Sequence, residues 1–166
     1  MEDESRIQVL YTKQCERFVK QVSDALWQFY EYRTFRNEVL PLIPTAYNAE
    51  RKQYYASSLL EYLSRSKHER VALWLVDQDI YYGEHSYVFG YSARGFGAIV
   101  STFRLKKDEQ VLKEAMHEAG HVIGLRRHCA NRCLMRSSTC VEEVEMKPYR
   151  LCDTCKEEVK SINIKS

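Results

Sequence analysis

The stretch VALWLV, from Val71 to Val76, is a continuous apolar run. Such a run is typical of a strand that is covered on both faces, and it favours a mostly parallel sheet. Two segments before it, from about Cys15 to Tyr32 and from about Glu50 to Ser64, carry apolar residues at helical spacing. We therefore predict an α/β fold with this run as the central strand and the first helix packed on the sheet.

Further strands are predicted on either side of this run. Residues 7 to 11 indicate a short first strand, and residues 34 to 43 a second one. The segments Tyr87 to Tyr91 and Gly97 to Phe103 are separated by turn-forming residues, which predicts an antiparallel hairpin at one edge of the sheet. Asp108 is the N-cap candidate of a third amphipathic helix, which should end at Gly124.

The composition is that of a globular domain, with 45% hydrophobic residues in 166 and a formal charge of +2. This balance supplies no broad positive field, so we expect neither nucleic acid nor membrane as a partner, and we expect a monomer. The first residues, Met1 to Ser5, are acidic and polar, whereas a secretory signal is basic and then apolar. We therefore expect a cytoplasmic protein.

The third predicted helix contains His117-Glu118-Ala119-Gly120-His121, which fits the H-E-x-x-H pattern. Residues four apart lie one above the other on a helix, so both imidazoles can bind one zinc ion. Glu118 is rotated away from them and can act on a water molecule without being a ligand. Gly124 can end the helix and turn the chain back toward the ion, so a third ligand should follow.

The last quarter of the chain contains a second metal-binding pattern, Cys129-x-x-x-Cys133 followed by Cys152-x-x-Cys155. Two close cysteine pairs predict a closed four-thiolate zinc site, which is structural. The alternative, two disulfides, is disfavoured in a reducing compartment. We expect the zinc to fold residues 125–166 as a small C-terminal subdomain beside residues 1–124, with both forming one catalytic domain.

The stretch from His117 to Cys155 resembles the archaemetzincins, a family of metzincin-clan zinc metallopeptidases. The upstream residues Arg51-x-Gln53-Tyr54, Leu59-Leu60 and Val76-Asp77 are also similar to that family. The resemblance implies a metzincin-like twisted sheet with a backing helix and an active-site helix. It also implies that Met135 lies beneath the catalytic ion, where we assign it a packing role, and that the edge strand around Tyr87 to Tyr91 pairs with an extended peptide.

The sequence departs from the family pattern at one position. Metzincins carry the third histidine three residues after the glycine, where this chain has Arg127, and the histidine is His128. We interpret this as a loop slip that leaves His117, His121 and His128 as the catalytic zinc ligands. The alternatives are that no third ligand exists or that a carboxylate completes the site, and three candidates are near: Glu142, Glu143 and Glu145.

The predicted function is hydrolysis of peptide bonds by a zinc-bound water, with Glu118 as general base and then general acid. We expect two zinc ions per chain, one catalytic and one structural. An aminopeptidase acting on short peptides is one form of this activity. The alternatives are a catalytically degenerate zinc-binding or interaction module held by the four cysteines, and a different zinc-dependent hydrolysis such as deamidation.

A basic patch lies close to the proposed site in the sequence and consists of Arg126, Arg127, Arg132 and Arg136. It either favours acidic peptides or a C-terminal carboxylate, or it is a solvated charged face. His68 and His85 stand alone in the sequence, and we expect them to be surface residues rather than metal ligands.

Overall fold

The computed structural model describes the backbone of residues 5–126 and 129–165, and side chains up to Asn163. Within these ranges the strands are β1 (Arg6–Tyr11), β2 (Arg33–Thr34), β3 (Glu38–Val39), β4 (Tyr47–Asn48), β5 (Gln53–Tyr55), β6 (Ala72–Val76), β7 (Ile80–Tyr81), β8 (Gly90–Ala93) and β9 (Gly97–Ser101). The α-helices are α1 (Val19–Tyr30), α2 (Ala56–Ser66), α3 (Asp108–Ile123), α4 (Val141–Met146) and α5 (Asp153–Lys165). Two 3₁₀ helices cover Lys13–Phe18 and Pro44–Ala46.

The main sheet has the order β2-β1-β6-β9-β8, and β3 also pairs with β1. All pairings in it are parallel except that between β8 and β9. The apolar run thus lies in the middle of the sheet, as predicted, and β8 is the antiparallel edge strand. A second, small sheet has the order β4-β5-β7.

The two faces of the main sheet are covered by different helices. Alternate residues of a strand point to opposite faces, so Leu73 and Leu75 of β6 pack in one apolar cluster and Trp74 in another. The first cluster contains residues of α1 and α3, and the second contains residues of α2. This arrangement is the predicted α/β fold, with a backing helix and an active-site helix on the same face.

The C-terminal portion packs on the first cluster. Leu134, Met135 and Leu151 are buried in it together with residues of β1 and β6. The segment therefore shares the main core of the protein. Two helices, α4 and α5, form in this portion, although its sequence has little periodic pattern.

Helix α3 ends where the sequence predicts, because Gly124 takes a positive φ of 122°. Its N–H lies 3.2 Å from the carbonyl oxygens of Gly120 and His121. At the other end, the Gln110 side chain accepts hydrogen bonds from the backbone N–H groups of Lys106 and Lys107. The N-cap is therefore Lys107, whereas the sequence had indicated Asp108.

Several predicted boundaries are wrong. The segment 34–43 forms no continuous strand, since Thr34 ends β2 and β3 covers only Glu38–Val39. The start of the predicted second helix contains β5. The predicted hairpin strand Tyr87 to Tyr91 is shifted, since β8 begins at Gly90. Val88 pairs instead with Ile80 of β7.

In the part of the chain that the structure describes, every helix is too short or too polar to traverse a lipid bilayer.

Candidate active site and cysteine cluster

Helix α3 places His117 and His121 side by side. Their Nε2 atoms are 3.2 Å apart, and the two rings are nearly perpendicular, at 88°. Two nitrogens bound to one tetrahedral zinc at about 2.0–2.1 Å lie about 3.4 Å apart. The spacing of the two imidazoles therefore fits a shared ion, as the sequence predicts.

Backbone carbonyls orient both rings. The Nδ1 atom of His117 lies 3.0 Å from the carbonyl oxygen of Leu134, and that of His121 lies 3.4 Å from Leu125. A carbonyl oxygen only accepts, so the proton belongs on Nδ1 and the Nε2 lone pair remains for a metal. Burial, together with the charge of Lys147, lowers the pKa of His117 to about 4, so this imidazole is neutral at neutral pH.

The third proposed ligand, His128, lies outside the described residues, as does Arg127. Among the residues that are described, no carboxylate forms a three-ligand cluster with His117 and His121. Glu143 accepts hydrogen bonds from Thr139, and Glu145 from Lys107 and Gln110. The described side chains therefore give no support to a carboxylate as third ligand.

Glu118 lies against the edge strand of the sheet. A Cβ atom built on Gly90 of β8 would lie 2.5 Å from the Glu118 Cγ and 2.6 Å from its Oε1. A side chain at position 90 would therefore displace this carboxylate from where it lies. Gly90 is thus a candidate site residue that the sequence analysis missed, and the only local signal was a glycine within a predicted edge strand.

Met135 packs against helix α3 at Gly120, the residue before His121. It is fully buried, and its Sδ would lie 2.6 Å from a Cβ built on Gly120 of α3. The hydroxyl of Tyr30 lies 3.8 Å from the same sulfur and donates to the carbonyl oxygen of Met116 at 2.6 Å. The glycine in the helix motif therefore allows Met135 and Tyr30 to approach the helix axis.

A cleft with a volume of about 380 Å³ lies beside His117 and Glu118. Its floor is formed by Glu114, His117 and Glu118, one wall by residues 85–90, and the other wall by residues 137–139. Glu114 forms a buried ion pair with Lys147, whose Nζ lies 2.7 Å from its Oε1. Burial raises the pKa of Glu114, and the charge of Lys147 opposes this effect. The sequence had not indicated this pair.

The predicted basic patch is divided in the structure. Arg126 forms an ion pair with Glu158 at 3.3 Å. Arg132 and Arg136 lie beside a second cavity of about 490 Å³, which shares Ser137 with the cleft. His68 lies 3.3 Å from a carboxylate oxygen of Glu38, away from the cleft.

The four predicted cysteine ligands come together, and their sulfur atoms all lie within 4.8 Å of one another: Cys129, Cys133, Cys152 and Cys155. The Cys129 Sγ is 3.8 Å from the sulfurs of both Cys152 and Cys155. Four thiolates around one zinc, at about 2.3 Å each, are also about 3.8 Å apart. All six cysteines are free thiols, which contradicts the alternative of two disulfides.

Hydrogen-bond donors and burial have opposite effects on the pKa values of the cysteines in this cluster. The backbone N–H groups of Met135 and Cys152 point at the Cys133 sulfur, at 3.4 and 3.2 Å. Although desolvation opposes ionisation, hydrogen bonds from Asn131 and Cys155 lower the pKa of Cys152 to about 6. Burial raises the pKa values of Cys133 and Cys155. Metal binding to these two residues must therefore release protons.

Comparison with known proteins agrees with this geometry. The family model of peptidase family M54 matches residues 5–161. An archaemetzincin of Nanoarchaeum equitans is 45% identical over 114 residues, which cover 69% of this chain and 66% of that protein. One from Archaeoglobus fulgidus is 40% identical over 121 residues, which cover 69% of this chain and 73% of that protein.

Two solved structures show the same fold at higher coverage. The archaemetzincin of Methanopyrus kandleri has a TM-score of 0.86 at 28% identity and covers 96% of this chain and 95% of its own. The Archaeoglobus fulgidus archaemetzincin complexed with malonate has a TM-score of 0.81 at 33% identity, and the match covers 92% of this chain and 99% of that one. The chain belongs to peptidase family M54, the archaemetzincins, and is a zinc-dependent metallopeptidase.

Proposed function

We propose that this protein hydrolyses peptide bonds with Glu118 as the catalytic acid and base, and that His117, His121 and His128 hold the catalytic zinc. The observation that carries the proposal is the convergence of the His117 and His121 Nε2 atoms at 3.2 Å on the floor of a cleft. His128 is included because of its position in the sequence after Gly124. It lies two residues beyond Arg126, the last described residue of that loop.

Zinc supplies Lewis-acid chemistry, because it lowers the pKa of a water molecule to about 7 and polarises a carbonyl group. The chain supplies the proton transfers and the positioning. Glu118 accepts the proton of the attacking water and later donates it to the leaving amine. Its position against Gly90 holds the carboxylate beside the edge strand, where an extended peptide can lie.

We propose that Cys129, Cys133, Cys152 and Cys155 hold a second, structural zinc. The support is the cluster of sulfur atoms, with two distances of 3.8 Å, together with the N–H donors aimed at Cys133. Cys129 follows His128 directly in the chain, so this zinc would brace the segment that carries the third histidine. Because this zinc would stabilise the C-terminal portion, we also propose that residues 125–166 form a small subdomain beside residues 1–124.

We further propose that the protein works in the cytoplasm as a monomer and binds neither nucleic acid nor membranes. Six free thiols suit a reducing compartment. A net charge of +2 gives no field that attracts polyanions. Sedimentation of the zinc-loaded protein tests the monomer, since a mass that is a multiple of the 19.6 kDa chain would contradict it.

The catalytic proposal is tested by Glu118→Gln, with Glu109→Gln as a matched control on the same helix. Peptide cleavage and zinc content are measured on both variants. We expect Glu118→Gln to lower kcat by about 10²–10⁴-fold and to retain the zinc, because only the proton-transfer group is lost. Glu109 is exposed and pairs with Lys113, so its variant should match the wild type. Equal cleavage by Glu118→Gln would overturn the proposal.

A further inference from the structure

Tyr87 joins the two walls of the cleft. Its hydroxyl donates a hydrogen bond of 2.9 Å to the carbonyl oxygen of Thr139. Tyr87 belongs to the wall formed by residues 85–90, and Thr139 to the wall formed by residues 137–139. These residues are 52 positions apart in the chain, so the bond ties together two distant segments that line the same cleft.

The Tyr87 ring is held in place by a partly buried ion pair. The Arg104 guanidinium lies over the ring, 3.9 Å from its centroid. Arg104 also donates two hydrogen bonds, of 2.9 and 2.7 Å, to the two carboxylate oxygens of Asp79, whose side chain is 6% exposed. The ring of Phe89 packs edge-on at 5.4 Å. Because a bidentate pair of this kind is geometrically specific, Tyr87 is a fixed part of the wall.

The backbone on both sides of Tyr87 is already engaged. Gln53 Nε2 donates to the carbonyl oxygen of Ser86 at 2.7 Å and to Asp79 Oδ2 at 2.9 Å. Arg51 donates to the carbonyl oxygen of His85 at 2.8 Å. The N–H of Val88 donates to the carbonyl oxygen of Ile80. These backbone groups are therefore not available to pair with a peptide that extends past Tyr87.

The space between the catalytic carboxylate and this bridge is short. Gly90 contacts Glu118, and Tyr87 precedes Gly90 by three residues, a separation of at most about 11 Å along the chain. An extended peptide of about three residues spans the same distance. The cleft volume of about 380 Å³ is also near the lower end of the range for ligand sites.

We propose that Tyr87, fixed by Arg104 and Asp79, limits the peptide on one side of the cleaved bond to about three residues. This inference rests on the proposed peptidase function and specifies its substrate as short peptides or chain ends. Tyr87 acts on substrate length, whereas Glu118 acts on the chemical step.

The test uses quenched peptides with one cleavage site, extended stepwise by one to six residues on the N-terminal or on the C-terminal side. We compare the wild type, Tyr87→Ala and, as a matched control outside the cleft, Tyr47→Ala, all loaded with zinc. For the wild type and Tyr47→Ala, kcat/KM should fall about tenfold or more beyond about three residues on one side only. For Tyr87→Ala, the kcat/KM for long peptides should approach the kcat/KM for short ones, so that their ratio is close to one.

A second variant and a second readout keep the proposal testable. Tyr87→Phe retains the ring over Arg104 but loses the bond to Thr139, so it should accept longer peptides even if Tyr87→Ala does not fold. Binding of the same peptides to Glu118→Gln, with and without Tyr87→Phe, should show the same dependence on length.

The possible failures are distinguishable. An active wild type that cleaves all lengths equally, or a length limit that Tyr87→Ala and Tyr87→Phe leave unchanged, overturns the role of Tyr87 alone. A zinc-loaded wild type that cleaves no peptide overturns the proposed function. If the wild type cleaves no peptide, the role of Tyr87 is tested by binding to Glu118→Gln. Binding that is the same for short and long peptides would then overturn that role as well.

Discussion

Gly90 of the edge strand and Glu118 of the active-site helix are in such close contact that any side chain at position 90 would displace the Glu118 carboxylate. The hypothetical Cβ would lie 2.6 Å from the carboxylate oxygen Oε1. The backbone of Gly90 does not require a glycine, because its φ is not positive. The preference for glycine at this position therefore comes from the Glu118 side chain, the proposed general base.

The first prediction follows from this contact. Gly90→Ala should displace the Glu118 carboxylate and lower kcat by about 10²-fold, because a shift of about 1 Å in a catalytic group has this effect. The zinc content should not change, since the three atoms nearest the new methyl group all belong to Glu118, which is not a proposed zinc ligand. Peptide cleavage and metal analysis measure both quantities, and wild-type kcat in Gly90→Ala would contradict the prediction.

The second prediction concerns Gly120, which is packed against Met135 and Tyr30. Gly120→Ala places a methyl group 2.6 Å from the Met135 sulfur and 2.8 Å from the Tyr30 hydroxyl. Overpacking of this kind lowers the free energy of unfolding by about 1–3 kcal/mol, although alanine is the better helix former.

Urea unfolding measures this loss, and the double variant Gly120→Ala/Met135→Ala is its control. Removing the Met135 side chain makes room for the new methyl group, so the penalty of Gly120→Ala should be smaller in that background. The same penalty in both backgrounds would show that Met135 is not the obstacle.

The third prediction separates the two proposed zinc ions. The wild type should contain two zinc ions per chain, His117→Ala one, and Cys155→Ser one, because each variant lacks a ligand of a different site. Cys155→Ser should also unfold at a lower denaturant concentration, since the binding energy of a structural zinc contributes to folding. Cys140→Ser is the matched control, because Cys140 is outside the sulfur cluster. A single zinc in the wild type would contradict the two-ion proposal.

The fourth prediction is a pH dependence of stability. Hydrogen bonds from Lys107 and Gln110 lower the pKa of Glu145 below its ordinary value of 4.5. A carboxyl group whose pKa is lower in the folded state than in the unfolded state stabilises the fold above the unfolded-state pKa. This contribution is lost as the pH falls from about 4.5 through the lower folded-state value.

Glu145→Gln tests this dependence. The variant should unfold at a lower urea concentration than the wild type at pH 7, and the difference should shrink as the pH falls below 4.5. Glu142→Gln, an exposed carboxylate three residues earlier on the same helix, should show no such difference. A difference between Glu145→Gln and the wild type that is constant from pH 7 to pH 3 would contradict the prediction.

The sequence predicted the elements that depend on local patterns. The helix that carries His117, Glu118 and His121 ends at Gly124 as expected, because helical spacing and a glycine stop signal are properties of neighbouring residues. The cysteine cluster was also predictable, since two close pairs must each lie within reach of one ion. The apolar run at 71–76 correctly indicated the centre of a parallel sheet.

The edge strand shows why other features were not predictable. Residues 87–91 are rich in the aromatic and β-branched residues of strands. However, Gln53 and Ile80 bind the backbone of Ser86 and Val88, and β8 begins only at Gly90. Hydrogen bonds with other parts of the chain decide this boundary. No local pattern contains that information.

The sequence by itself determined an α/β core and the residues on which the proposed chemistry depends, an H-E-x-x-H helix and a four-cysteine cluster, all encoded in short-range spacing. Only the tertiary structure decided the shape of the cleft, through Gly90 against Glu118 and Tyr87 against Thr139. The physical reason is that these contacts join residues 28 and 52 positions apart, and the packing of a sheet edge on a helix and a loop brings them together.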